Sequence, residues 1–155
     1  MAVNRLNLNE KFQVRENEIA NGNSPFIVAE MACAHNGDFE QAKDLIDAAA
    51  EATCDAVQLQ FFVPDETVTP HHEAYKVLQD IAFDFQQWSD LFDRIKDVGL
   101  SPFICTYDQT SVEWAVKLGA EGIKLNSADL SNPDVITAVS ESGIPFTLGT
   151  GASTM

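Results

Sequence analysis

Positive charge is scarce in this chain. Nine lysines and arginines stand against 24 aspartates and glutamates, a formal net charge of −15. A nucleic-acid backbone and an anionic membrane surface both require clustered Lys and Arg, so neither is an expected partner. A small anionic ligand would have to be met by a few locally placed cations, which makes the position of each lysine informative. Cysteine is sparse as well. Cys33, Cys54 and Cys105 are odd in number and form no C-x-x-C pair. That argues against a disulfide framework or a zinc site, and for reduced thiols used as small core hydrophobes in a cytoplasmic protein. No apolar run approaches the length of a membrane-spanning helix. The first 24 residues, ending ENEIANGNS, lack the apolar stretch of a signal peptide.

The chain has 155 residues, 45% of them hydrophobic, enough for one domain with a real core. Residues 1–24 read as a polar N-terminal arm with a short strand at Lys11–Val14, and residues 25–155 as the main domain. From Phe26 a pattern repeats. FIVAEM (26–31) is short, apolar and β-branched, the mark of a buried strand. Asp38 with Gln41 forms a capping-box signature ahead of Phe39, Ala42, Leu45, Ile46 and Ala49 at helical spacing. DAVQLQFF (55–62) is a second strand. The longer connection 63–83 contains His71 and His72, read as surface loop, and a short helix near Glu73–Leu78. Asp84 with Gln87 starts a helix with Trp88, Leu91, Phe92 and Ile95 on one face. PFICTY (102–107) is the third strand, and Thr110 with Glu113 is the expected cap of the next helix. GIKLNS (122–127) is the fourth strand. Asn132-Pro133 reads as an N-cap with proline at the first helical position. PFTLGTG (145–151) is the fifth, and AST (152–154) is the expected start of a fifth helix.

Strands alternating with helices imply parallel pairing and right-handed crossovers. The first strand-to-helix turn, MACAHNGD, has one glycine, which weakens a doubly wound nucleotide-binding reading. Polar residues fall at the C-terminal ends of all five strands: Glu30, Gln58 and Gln60, Thr106, Lys124 with Asn126 and Ser127, and Thr150. That is where a closed barrel builds its site. The expected fold is therefore a (β/α)8 TIM-type barrel with only about the first five β/α units present, strands in sequential order. Two open apolar edges then predict a homo-oligomer.

The stretch from Ser24 onward resembles the sialic acid synthase family, which makes N-acetylneuraminate and related nonulosonic acids. The motifs carrying the resemblance are Ala29-Glu30, Ala34-His35-Asn36-Gly37, Gln58-Leu59-Gln60, Cys105-Thr106-Tyr107-Asp108, Lys124-Leu125-Asn126-Ser127-Ala128-Asp129 and Gly149-Thr150-Gly151-Ala152. The resemblance implies a barrel enzyme that condenses phosphoenolpyruvate with an N-acetylmannosamine-type amino sugar and releases phosphate. It implies a divalent metal, Mn2+ or Mg2+, that polarises the sugar aldehyde, with ligands not in this chain. It implies Glu30 as the catalytic residue near that aldehyde, and Gln58, Gln60, Thr106, Lys124, Ser127 and Asp129 as substrate-binding residues.

Each assignment has a plainer rival. Glu30 could cap its loop, His35 could be structural, and Lys124 could pair with Asp129 or Glu121. Asn36-Gly37-Asp38 reads mainly as turn and cap. This sequence also departs from the family pattern. Gln58 stands where the family has a lysine, Gly149 where it has a serine, Asn126 and Ala128 where it has glycines, and Asp129 where it has glutamate. A charge-assisted hydrogen bond contributes about 1.5–3 kcal/mol, so losing a cation weakens an anion site considerably. Two alternatives follow: a non-catalytic relative that binds sugar or acts as an interaction domain, and an aldolase-like barrel using Lys124 for a Schiff base.

Overall fold

The computed structural model describes residues 11–153. Thr154 of the expected fifth helix lies outside them. Ala152 and Ser153 are in turn and irregular structure.

The first two strands, β1 (Lys11–Val14) and β2 (Asn17–Ala20), form an antiparallel hairpin. Its role follows from one face. Val14 is buried against Ala56 and Phe103, with Ile19 and Phe26 beside it, and Phe26 stacks on Phe103 at 5.8 Å between centroids. These residues lie at the N-terminal ends of the main strands, so the hairpin closes the end opposite the expected site.

The main sheet comprises β3 (Val28–Glu30), β4 (Ala56–Phe61), β5 (Ser101–Thr106), β6 (Gly122–Leu125) and β7 (Phe146–Leu148), all parallel, in the order β3-β4-β5-β6-β7. Sequential order is what consecutive right-handed crossovers in one direction produce, and it excludes the reversal of a doubly wound sheet. Side chains alternate between the faces. Val57, Leu59, Phe61, Ile104, Ile123 and Leu125 face the helices and make the principal core with Ile46, Trp88, Leu91, Phe92 and Ile95. The other face carries Glu30, Gln58, Gln60, Phe103, Cys105 and Lys124, aligned by the registers Glu30↔Gln58↔Phe103 and Gln60↔Cys105↔Lys124.

The helices are α1 (Phe39–Glu51), α2 (Pro64–Thr67), α3 (Tyr75–Ile81), α4 (Phe85–Asp97), α5 (Gln109–Leu118) and α6 (Pro133–Glu141). Asp38 caps α1 through the amides of Glu40 and Gln41, but the Gln41 side chain donates to the Ala34 carbonyl instead of closing the box. The Asp84–Gln87 box is present in full. The cap of α5 differs from the sequence expectation. Asp108 takes the Ser111 amide at 2.6 Å, while Thr110 lies inside the helix and donates to Glu66. Two polar cap candidates two residues apart compete, and Asp108 prevails because burial between Val63 and Ser111 gives its carboxylate several donors. The strands are shorter than their apolar runs. Residues 127–131, read partly as strand, form a 3-10 turn (Ser127–Ser131). The short helix of the long connection lies at Tyr75–Ile81 rather than near Glu73–Leu78, and α2 was not signalled by periodicity. Both edge strands expose apolar side chains: Val28 on β3, and Phe146 and Leu148 on β7.

Candidate active site

Glu30 ends β3, Gln60 lies near the end of β4 and Lys124 lies in β6. Their side chains converge. The Gln60 amide donates to Glu30 Oε1 at 2.8 Å, and Lys124 Nζ is 3.4 Å from both Glu30 oxygens. β3 and β6 are separated by two strands. In a flat sheet they would lie about 14 Å apart, three strand spacings. The ion pair therefore requires the sheet to curl, and it places these residues across the concave mouth from one another. Both plainer partners for Lys124 are thereby corrected: Glu121 is engaged by Arg15 at 2.7 Å, and Asp129 by Asn126.

The remaining predicted residues divide. Gln58 is on the concave face, beside Glu30 in register, and nearly buried. Ser127 opens the 3-10 turn just past β6, half-buried, and Asp129 follows in the same turn. Burial raises the Asp129 carboxyl pKa, opposed by hydrogen bonds from Asn126, and its Oδ2 is buried without a partner among the described residues. Thr106 is not brought to the cluster. Its register partners are Phe61 and Leu125, both in the helix-facing core, and its hydroxyl is fully buried without a partner among the described residues. One step of alternation decides this: Cys105, not Thr106, shares the concave face with Gln60 and Lys124.

His35 is structural in its contacts. It is 1% exposed, its Nδ1 accepts the Gly37 amide at 3.1 Å, and its ring lies against Phe83 and Trp88. Burial lowers its pKa. Asn36 (φ 50°) and Gly37 (φ 79°) take the left-handed turn that leads into the Asp38 cap. A Cβ on Gly37 would lie 2.7 Å from the Asp80 carbonyl, so this loop is fitted tightly against the end of α3.

Sequence reasoning passed over three residues of the mouth. Cys33 contacts Gln60 Oε1 at 3.7 Å, Cys105 contacts Asn126 Oδ1 at 3.4 Å, and the Tyr107 side chain lies beside Cys105. Period-two alternation puts Cys105 and Thr106 on opposite faces of β5, and the β5–β6 register decides which of them joins Lys124. Burial raises the pKa of both thiols, which keeps them protonated and weakly nucleophilic. Gly149 also gains a reason. A Cβ there would sit 2.8 Å from the Ser127 amide and 3.1 Å from the Leu125 carbonyl, so the family's serine does not fit unless β6 and β7 shift.

No group of three or more His, Cys, Asp or Glu among the described residues could hold a metal ion. Among the described residues, the donors present do not make a site for the divalent metal that the resemblance implies.

A parallel α/β half-barrel, curled so that polar side chains from separate strands meet at its C-terminal rim, defines the class. Within that class, the NeuB family model matches residues 45–155, and the chain belongs to the NeuB family. It is 26% identical over 140 residues to the N,N'-diacetyllegionaminic acid synthase of Legionella pneumophila, a match covering 81% of this chain and 39% of that protein. An uncharacterised protein of Methanocaldococcus jannaschii is 24% identical over 144 residues, covering 93% of this chain and 43% of that one. The crystal structure of the N-acetylneuraminic acid (sialic acid) synthetase of Leptospira borgpetersenii superposes with a TM-score of 0.88 at 25% identity, covering 93% of this chain and 50% of that chain. The chain thus spans about two-fifths of the length of the curated relatives it matches. No helix among the described residues is long and apolar enough to cross a membrane.

Proposed function

We propose that this chain forms the N-terminal part of a (β/α)8 barrel synthase that condenses phosphoenolpyruvate with an N-acetylmannosamine-type amino sugar to give a nonulosonic acid and phosphate. The observation that carries this reading is the convergence of Glu30, Gln60 and Lys124 from three strands of the half-barrel. Lys124 holds the anionic groups of phosphoenolpyruvate, with Ser127 as a neutral donor beside it. Glu30, oriented by Gln60, faces the sugar near its aldehyde. Gln58 and Asp129 border the pocket, and Thr106 contributes only if its buried hydroxyl turns toward it. Further β/α units complete the barrel and supply the Mn2+ or Mg2+ ligands. In this reading residues 25–155 belong to the barrel and residues 1–24 stand outside it, and the protein works in the cytoplasm as a homo-oligomer.

The test is phosphate release from phosphoenolpyruvate in the presence of N-acetylmannosamine and Mn2+, with the acid product identified by mass spectrometry. Release that needs both substrates and is lost in Lys124→Ala and Glu30→Ala supports the proposal. A second reading, a non-catalytic sugar-binding relative, draws on Gln58 and Gly149, which leave the mouth one cation and one hydroxyl short of the family pattern. Sugar binding without phosphate release would favour it.

A further inference from the structure

Tyr107 is the first residue after β5, on the C-terminal rim, and half-buried. Continuing the alternation of β5, it follows Cys105 on the concave side, one step past the helix-facing Thr106. Its side chain lies beside Cys105, which is in register with Lys124 and Gln60. Its ring packs edge-on against Phe62 at 6.4 Å, and its backbone amide is held by Ser111 Oγ at 3.2 Å, the same hydroxyl that fixes the start of α5. Backbone and ring are thus fixed by the scaffold, and the polar group beside the hydroxyl is a thiol. A thiol is a weak hydrogen-bond acceptor, so an anionic oxygen in the mouth competes for the hydroxyl at small cost.

We infer that Tyr107 is a substrate-binding residue, whose hydroxyl donates to an anionic oxygen of the phosphoenolpyruvate held by Lys124. The inference rests on the proposed function and supplies the hydroxyl donor that Thr106, facing the helices, does not present. Burial, with Cys105, Cys33 and Glu30 nearby, pushes the Tyr107 pKa up, so the group stays protonated and acts as a donor. This selects an acceptor on the ligand, a carboxylate or phosphate oxygen.

The chain contains two tyrosines, Tyr75 and Tyr107, so 3-fluorotyrosine labelling gives two 19F signals. Tyr75 is on α3, bonded to Asp65, and serves as the internal reference. The signal absent from Tyr107→Phe identifies Tyr107. Phosphoenolpyruvate is expected to shift that signal and leave Tyr75 in place. Tyr107→Phe, which removes one oxygen, is expected to weaken binding about three- to tenfold with the circular dichroism spectrum unchanged. Binding to the wild type without movement of the Tyr107 signal, or with equal affinity in Tyr107→Phe, overturns this inference alone. Failure of the wild type to bind phosphoenolpyruvate overturns the proposed function and this inference with it.

Discussion

The ion pair between Glu30 and Lys124 makes a prediction opposite to ordinary expectation: removing the Glu30 charge should improve anion binding. Lys124 is the cation of the concave face, and Glu30 sits 3.4 Å from it through both oxygens. The side chains are 32% (Lys124) and 41% (Glu30) exposed, so the pair itself contributes about 0.2–1 kcal/mol to stability. Glu30→Gln keeps the side-chain shape and the acceptor for Gln60, and should alter stability by no more than that. The effect on an anion is larger. A phosphate seated on Lys124 would lie roughly 6 Å from the Glu30 carboxylate. At an effective dielectric of about 40, each unit of repulsion is then about 1.4 kcal/mol, a factor of ten. For a singly to doubly charged phosphate the gain is about tenfold to a hundredfold. Calorimetric titration of phosphoenolpyruvate into wild type and Glu30→Gln measures it. Repetition at about 0.5 M salt should shrink the difference, since the pair is partly exposed. An unchanged or weaker affinity in Glu30→Gln would refute the reasoning and place the anion away from Lys124.

Other consequences are equally concrete. Restoring a cation with Gln58→Lys, on the concave face beside Glu30, should tighten phosphoenolpyruvate binding by roughly 1.5–3 kcal/mol, and Lys124→Ala should abolish it; the same titration decides both. Gly149→Ser should destabilise the chain by about 1–3 kcal/mol in urea unfolding, because its Cβ would meet the Ser127 amide at 2.8 Å. An unshifted midpoint would show that β6 and β7 separate easily. For His35, burial depresses the folded-state pKa below its ordinary 6.5, so the unfolded chain binds the extra proton first. Its contribution to stability should be complete above about pH 6.5 and decline as the pH falls below that value toward the depressed folded pKa. His35→Phe should flatten that part of the urea-midpoint profile; a profile that keeps its slope would assign the titration elsewhere.

The alternation of short apolar runs with amphipathic segments was enough to specify parallel β/α units, because strands of a parallel sheet read as near-continuous apolar runs and each helix carries a one-sided stripe. Glu30, Gln60 and Lys124 were legible for the same reason: a charged or amide side chain inside an apolar strand is costly unless it faces a polar space. Asp38, Asp84 and Asn132 announced their helices because capping depends on residues two or three positions apart. What sequence could not determine was anything set by curvature and register. The partner of Lys124 proved to be Glu30, 94 residues away, because the curled sheet brings β3 opposite β6. Thr106 and Cys105 exchanged places because their faces depend on where β5 begins in register with β4, and a shift of one residue reverses every side chain. Gly149 looked like a lost hydroxyl and is required by the close approach of the β6 backbone, a distance that only the packed strands define. Local patterns in the chain record which face of an element is apolar; which polar groups then meet is decided by how the elements are arranged in space.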